Sequence, residues 1–170
     1  MTEAFKWRHY QPEIILLTTR WYSRYALSYR DLEEMMTERG LSVVHTTIFR
    51  WVQHYSPEID KRSRPHLRKS NDSWRVDETY VKVRGKWMYL YRAVDSTGQT
   101  LDFLLNETRS TRAAKRFLKK VLGRSHVTAP RVINVDQNAA YIGAVAELKA
   151  EKLLPKTCER RPSKYLNNIV

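Results

Sequence analysis

The stretch Trp74-Arg75-Val76-Asp77-Glu78-Thr79-Tyr80-Val81-Lys82-Val83 alternates apolar and polar side chains in the manner of a β-strand. A second run, Arg131-Val132-Ile133-Asn134-Val135-Asp136, is typical of a short buried strand that ends at an aspartate. Aspartate is depleted in strands, so Asp77 and Asp136 need a specific reason for their positions. If the two strands are neighbours, both carboxylates lie at one edge of a sheet. Two oxygen ligands of this kind suit Mg²⁺ or Mn²⁺, and we take Asp77 and Asp136 as candidate metal ligands.

Each aspartate taken alone has a simpler explanation. A solvent-facing strand residue accounts for Asp77, and the N-cap of a following helix accounts for Asp136. Their joint occurrence is what favours a metal site. The neighbouring Glu78 is predicted to point to the opposite face of the strand from Asp77, and Asp95 is predicted to lie in a turn. Neither run contains histidine, which argues against zinc.

The apolar pattern around these runs predicts the order of the elements. Three consecutive antiparallel strands are expected over residues 74–83, 87–94 and 101–105. A helix over residues 110–122, the strand 132–135 and a helix from residue 139 to about residue 152 follow. This β-β-β-α-β-α order predicts an α/β layer fold.

The helix over residues 110–122 is predicted to expose a side of a single charge. No acidic residue occurs between Arg109 and Arg124, although basic residues recur throughout. A solvated surface normally mixes both signs, so this face favours a phosphate backbone lying nearby. A plain solvated face is the alternative.

The first part of the chain reads as three helices, over residues 12–25, 28–40 and 42–55, with a glycine turn at Gly40. Two short helices joined by such a turn are the helix-turn-helix pattern, and a plain three-helix bundle is the alternative. We therefore predict an all-α helix-turn-helix domain over residues 1–60, a basic linker over residues 61–73 and a catalytic core over residues 74–170.

The third helix is the candidate recognition helix, because its polar side chains can reach base edges in a major groove. The candidates for that surface are His45, Thr46, Thr47 and Arg50. Residues expected to contact phosphates, which adds affinity without specificity, are Arg30, Lys61, Arg62 and Arg64.

Composition favours a polyanionic partner. The 170 residues include 31 Lys and Arg against 18 Asp and Glu, a formal charge of +13. Nucleic acid is the first candidate and a membrane surface the second. No apolar run is long enough for a membrane span, and the first ten residues are too polar and aromatic for a secretory signal. With a single cysteine, Cys158, the chain is expected in a reducing, cytoplasmic compartment.

Several segments, in the same order along the chain, resemble the short, cointegrate-forming family of bacterial insertion-sequence transposases of the DDE type. The resemblance runs from about Phe5 to the last residue. Its segments are Ile14-Ile15-Leu16, Ser28-Tyr29-Arg30, His45-Thr46-Thr47-Ile48, Arg50-Trp51-Val52, Asp77-Glu78-Thr79-Tyr80, Tyr89-Leu90-Tyr91-Arg92-Ala93-Val94-Asp95-Ser96 and Lys164-Tyr165-Leu166-Asn167-Asn168.

The resemblance implies a helix-turn-helix that binds the terminal inverted repeats of an insertion sequence, followed by a ribonuclease-H-like integrase core. Asp77 and Asp136 match the first two acids of the family's catalytic triad. In such enzymes Mg²⁺ or Mn²⁺ held by the triad activates water and then a 3′-hydroxyl, for nicking and strand transfer. The implied partners are double-stranded DNA and further copies of the chain, in a bacterial cytoplasm at a nucleoid or plasmid.

The resemblance also marks departures from the family. The third acid, a glutamate, is expected immediately after Val170, so the core is expected to be C-terminally incomplete and its catalysis impaired. Gln137-Asn138-Ala139 stands where the family commonly has Lys-x-Pro, and Pro162-Ser163 replaces its usual glutamine-bearing stretch. These departures leave a rival hypothesis, a catalytically inactive DNA-binding protein that occupies element ends and competes with intact transposase.

Overall fold

The computed structural model describes residues 9–163, which divide into two units, residues 9–66 and 67–163. The first unit contains three helices, α1 (Pro12–Arg24), α2 (Tyr29–Thr37) and α3 (His45–Ser63). Helix α2 begins with the capping box that Ser28 and Asp31 predict: the Asp31 backbone N–H donates to the Ser28 hydroxyl and the Ser28 N–H to the Asp31 carboxylate. Gly40, with φ of +74°, makes the turn toward α3.

Helix α3 continues two turns beyond the predicted end at Tyr55. Pro57 lies inside it and removes one backbone donor, yet the helix runs to Ser63. The extension is stabilised by Ile59, which packs on the core of this unit, and by ion pairs at helical spacing between Glu58 and Arg62 and between Asp60 and Arg64. The first residues of the predicted linker are therefore the last turn of a helix.

The second unit is a five-stranded mixed sheet with two helices. Its elements are β1 (Ser73–Val83), β2 (Lys86–Asp95), β3 (Thr100–Asn106), α4 (Thr111–Leu122), β4 (Val132–Val135), α5 (Ala139–Ala150) and β5 (Glu159–Pro162). The strand order is β3-β2-β1-β4-β5. Strands β1, β2 and β3 pair antiparallel, whereas β4 pairs parallel with both β1 and β5.

The predicted order of elements is confirmed and gains one strand. The short β5, Glu-Arg-Arg-Pro, was absent from the prediction because it is polar throughout and shows no apolar alternation. It is an edge strand, and edge positions tolerate charged residues and proline.

The core of the second unit forms where one face of the sheet meets α4 and α5. Trp74 and Val76 of β1, Phe117 of α4 and Tyr141 of α5 are all buried in it. The two helices approach so closely that a Cβ at Gly143 would lie 2.8 Å from the Thr111 methyl group. None of the described helices is long and apolar enough to cross a membrane.

Candidate functional site

Asp77 and Asp136 lie at the same edge of the sheet, on adjacent strands. Strands β1 and β4 pair in parallel up to Val76 and Val135, and each aspartate is the next residue of its chain. The assumption that the two strands are neighbours is therefore met. Because β1 and β4 run parallel, Asp77 and Asp136 both lie at the carboxyl ends of the paired segments. Ligands of α/β sheets commonly bind at such strand ends.

Asp77 is held by a cross-strand arginine. Its side chain is 13% exposed, and Arg92, directly opposite on β2, donates from its guanidinium to Asp77 Oδ2 at 3.4 Å. The solvent-facing explanation of Asp77 does not fit so small an exposed fraction. Because this contact is long and the Arg92 side chain is itself 55% exposed, Arg92 binds the Asp77 carboxylate only weakly.

Asp136 is positioned by a turn and by a second arginine. Its Oδ1 accepts the backbone N–H of Asn138 at 3.0 Å, and its Oδ2 accepts from the Arg109 guanidinium. The N-cap of α5 is Asn138, whose side-chain oxygen accepts the Ala140 N–H at 3.0 Å. Asp136 is therefore not the helix cap that its sequence position allowed, and its side chain remains 35% exposed.

Glu78 is the centre of a buried network that the sequence prediction missed. Its side chain is 3% exposed and accepts from the Arg109 Nε, from the Tyr141 hydroxyl at 2.6 Å and from the Asn138 side-chain amide at 3.1 Å. Arg109 bridges Glu78 and Asp136. The signal in the sequence was the alternation itself, because Glu78 follows Trp74 and Val76 on the inward face of β1.

The electrostatics agree with Glu78 acting as an acceptor. Burial raises the pKa of Tyr141, and the nearby Glu78 charge raises it further. The Tyr141 hydroxyl therefore keeps its proton and donates a hydrogen bond to Glu78. Burial and the same carboxylate also raise the pKa of Tyr91.

Several other acids of this unit have structural partners. Asp95, predicted in a turn, ends β2 and accepts from the backbone of Thr97, Gln99 and Asn71. Glu147 and Glu151 both bind the Lys115 ammonium, at 2.6 Å and 2.7 Å. Among residues 9–163 no group of three or more His, Cys, Asp or Glu side chains is placed to hold a metal.

Part of the cationic helix face is neutralised within the unit. Lys115 pairs with acids of α5, while Lys120 and Arg124 pair with the buried Asp102 of β3. Arg109 is bound at the candidate site, and Arg116 donates to the Asn106 side chain at 2.8 Å. Acids of neighbouring elements thus match part of the one-sign pattern, whereas Arg112 and Lys119 are exposed, and a phosphate backbone near this face stays a prediction.

In the first unit the four predicted recognition residues occupy the first two turns of α3. The His45 imidazole Nδ1 lies 2.7 Å from Glu33 Oε2 of α2, and the His45 backbone N–H donates to the same oxygen. His45 therefore ties α2 to α3. Thr46 and Arg50 are exposed one turn apart, and Thr47 and Arg50 line a cavity of about 700 Å³ with His9, Tyr10, Trp51, His54 and Tyr55.

The four predicted phosphate-contacting residues differ in whether they already form ion pairs within the protein. Arg30 of α2 and Lys61 of α3 are exposed. Arg62 is paired with Glu58 at 2.6 Å, and Arg64 with Asp60 at 2.5 Å. Residues 164–168, the last segment of the family resemblance, lie outside the described part of the chain.

A mixed sheet ordered β3-β2-β1-β4-β5, with α4 between β3 and β4 and α5 between β4 and β5, is the arrangement of the ribonuclease-H-like fold. A solved chain of the simian T-cell lymphotropic virus intasome in complex with PP2A regulatory subunit B56 gamma shares this fold. The TM-score is 0.50 at 16% identity, covering 89% of this chain and 53% of that one.

Comparison of the amino-acid sequence with those of known proteins identifies the family within this fold class. The transposase for insertion sequence-like element IS431mec of Staphylococcus aureus strain Mu50 is 39% identical over 167 residues, covering 98% of this chain and 73% of the relative. The transposase for insertion sequence element IS257 in transposon Tn4003 of Staphylococcus aureus matches to the same extent. A family model described as a DDE domain matches residues 71–170. The chain belongs to the DDE transposases of insertion sequences.

Proposed function

We propose that this chain binds the terminal inverted repeats of an insertion sequence and supplies Asp77 and Asp136 for nicking and joining DNA strands. The observation that carries the proposal is the register of β1 and β4, which brings the two aspartates of a DDE-family chain to one sheet edge. Family membership supports the reaction class, which is phosphoryl transfer between DNA strands.

The donor set fits a hard divalent cation. Asp77 and Asp136 offer carboxylate oxygens and no histidine lies beside them, so Mg²⁺ or Mn²⁺ suits the pair better than zinc. When bound, such an ion activates the attacking hydroxyl and stabilises charge on the phosphate. The protein contributes two carboxylates of different exposure, each beside an arginine.

The network around Glu78 orients Asp136. Arg109 is fixed by the buried Glu78 carboxylate and in turn holds Asp136 Oδ2, while the Asn138 backbone holds Oδ1. Preorganised side chains avoid the cost of reorganisation during reaction. Glu78 and Arg109 are thus positioning residues for Asp136.

The first unit is proposed to be the helix-turn-helix that reads the repeats. Thr46 and Arg50 project from α3, and His45 fixes the angle at which α3 meets α2. Arg30 and Lys61 are exposed and free to contact phosphates directly. Arg62 and Arg64 are paired with carboxylates of their own helix, and they contact DNA by exchanging these carboxylates for phosphates. Two element ends must meet, so the proposed assembly is a homo-oligomer on double-stranded DNA in the bacterial cytoplasm.

The test uses the purified chain, Mn²⁺ and a labelled duplex that ends in the terminal repeat. We expect site-specific nicking, and we expect Asp77→Asn and Asp136→Asn to lower its rate by at least about 100-fold while leaving DNA binding intact. Glu147→Gln is the matched control, because Glu147 is an exposed acid bound to Lys115. The strand-transfer proposal is wrong if the two aspartate variants nick as fast as the parent.

The rival function is distinguished in the same experiment. A chain that protects the repeat from nuclease digestion, prefers it over random DNA at matched salt and leaves it uncut with Mn²⁺ is an end-binding competitor of intact transposase. Equal affinity for repeat and random DNA contradicts both functions.

A further inference from the structure

The tip of the β1–β2 hairpin carries an exposed row of aromatic rings. Tyr80 is 53% exposed and Trp87 is 54% exposed. The Tyr80 ring lies 4.8 Å from Trp87 with an interplanar angle of 13°, and 4.8 Å from Tyr89 with an angle of 38°. Tyr80 is therefore stacked on Trp87 and tilted against Tyr89, and Trp87 ends the row nearest the hairpin turn.

This aromatic row continues the face of β1 and β2 that carries Glu78, opposite to the face of Asp77. Tyr80 pairs with Tyr89 in register, and the next inward pair on the same face is Glu78 with Tyr91. Tyr91 is buried and Tyr89 packs partly buried against the core, whereas Tyr80 and Trp87 are more than half exposed. A ligand on the row would thus lie one residue pair from the Glu78 network.

The surroundings of the row are cationic. Residues 79–94 include four basic residues and no acidic one, and the basic residues are Lys82, Arg84, Lys86 and Arg92. Within residues 9–163, only Arg92 of these four forms an ion pair, with Asp77. The Lys82 ammonium lies 5.9 Å from the centre of the Trp87 ring.

Three occupants compete for such a surface. A cross-strand aromatic row can serve hairpin stability alone, but burying the rings would serve that purpose better than half-exposing them. A second copy of the chain carries the same positive charge at its own hairpin and a net charge of +13, which opposes contact. A nucleic acid satisfies both features, because bases stack on aromatic rings and phosphates pair with lysine and arginine.

We infer that the row of Tyr80, Trp87 and Tyr89 is a stacking site for unpaired bases of single-stranded DNA. Duplex bases are already stacked on each other and cannot offer a free face, so the site discriminates strand state and not sequence. The inference relies on the proposed function only for the origin of the unpaired bases, which fray at the strand end that nicking creates. Binding itself needs no metal and no cleavage.

The first experiment measures fluorescence anisotropy with EDTA present, using a labelled oligo-dT of about 12 nucleotides and a duplex of equal length. We expect Trp87→Leu to weaken oligo-dT binding about tenfold and duplex binding less than twofold, and Trp87→Phe to restore most of the loss. Phe103→Leu is the matched control, since Phe103 is 56% exposed and has the Lys120 ammonium 5.4 Å from its ring centre. Thermal melts verify that the variants fold.

A second measurement locates the base directly. Irradiation of an oligo-dT containing 5-iododeoxyuridine, followed by mass spectrometry, is expected to crosslink the peptide that spans residues 80–89. Unchanged oligo-dT affinity in Trp87→Leu, equal losses for both DNA forms, an equal loss in Phe103→Leu, or crosslinks only elsewhere would each overturn the inference. So would a change of oligomeric state in Trp87→Leu without a change in oligo-dT affinity.

Discussion

The Tyr141 hydroxyl of α5 donates a 2.6 Å hydrogen bond to the buried Glu78 carboxylate of β1. This contact joins the helical layer to the sheet at the edge where Asp136 lies. The same carboxylate also accepts hydrogen bonds from Arg109 and Asn138. The loss of any one of these partners therefore changes the strength of the remaining hydrogen bonds.

The first prediction concerns the stability of this network. We expect Tyr141→Phe to lower the free energy of unfolding by about 1 kcal/mol and Glu78→Gln by about 1–3 kcal/mol, because each leaves a buried polar group without its partner. The double variant should lose less than the sum of the two. Urea unfolding followed by circular dichroism measures all three, with Glu147→Gln as an exposed control. Strict additivity would contradict a shared network.

The second prediction concerns pH and Asp95. Burial alone raises the pKa of Asp95, but hydrogen bonds from Thr97, Asn71 and Gln99 outweigh it and hold that pKa below its ordinary value. A depressed folded-state pKa stabilises the protein above the unfolded value, about 4, and this stabilisation is lost as pH falls toward the folded value. We therefore expect the stability advantage of the parent over Asp95→Asn to shrink between pH 5 and pH 3. Parallel stability curves over this range would contradict it.

Much of the second unit could be predicted because its strands and helices repeat their patterns over many residues. Asp77 and Asp136 stood out as acids at strand positions, and the pairing of β1 with β4 explains them. Chemistry that depends on distant partners could not be predicted. Arg109 was assigned to a cationic helix face, whereas its contacts are Glu78, 31 residues away, and Asp136, 27 residues away.

Helix α3 shows a second limit of pattern reading. The apolar stripe weakens after Tyr55 and Pro57 normally ends a helix, so the prediction stopped there. Ile59 on the core and the two ion pairs at helical spacing decide otherwise. The Ile59 contact becomes visible only once the neighbouring helices are placed, whereas the two ion pairs depend on α3 continuing past Pro57.

The third prediction concerns the close approach of α4 and α5. Replacing Gly143 by Ala puts a methyl group 2.8 Å from the Thr111 Cγ2, and a crowded core costs about 1–3 kcal/mol. Thr111→Ser removes that methyl group, so Gly143→Ala should be tolerated in its presence, where the higher helix propensity of alanine also helps. A thermal-melt double-mutant cycle checks this. Equal effects of Gly143→Ala in both backgrounds would disprove the clash.

The fourth prediction separates specific from general DNA contacts. We expect Arg50→Gln to weaken binding to the terminal repeat by about tenfold and binding to random DNA much less, because an exposed arginine in the recognition helix reads base edges. Arg62→Gln is the matched control, since its guanidinium is already paired with Glu58. It should weaken both DNAs equally and slightly. Mobility shifts at several salt concentrations give the two affinities, and an equal loss on both DNAs for Arg50→Gln would assign it to phosphate contact.

The fifth prediction concerns metal affinity at the candidate site. The Arg109 guanidinium holds Asp136 Oδ2 and places a positive charge where a divalent cation would bind. Arg109→Gln removes that charge and leaves the Glu78 carboxylate uncompensated, so we expect Mn²⁺ to bind about fivefold more tightly or better, although the fold loses stability. Free Mn²⁺ measured by electron paramagnetic resonance gives the affinity.

Two control variants test whether the gain in Mn²⁺ affinity arises at the candidate site. Arg116→Gln, which removes a cation bound to Asn106, should leave Mn²⁺ affinity unchanged. Asp136→Asn combined with Arg109→Gln should abolish the gain, because the added affinity arises at the Asp136 carboxylate. If Arg109→Gln binds Mn²⁺ no more tightly than the parent, then Arg109 does not compete with the ion, and its role at Asp136 is confined to positioning.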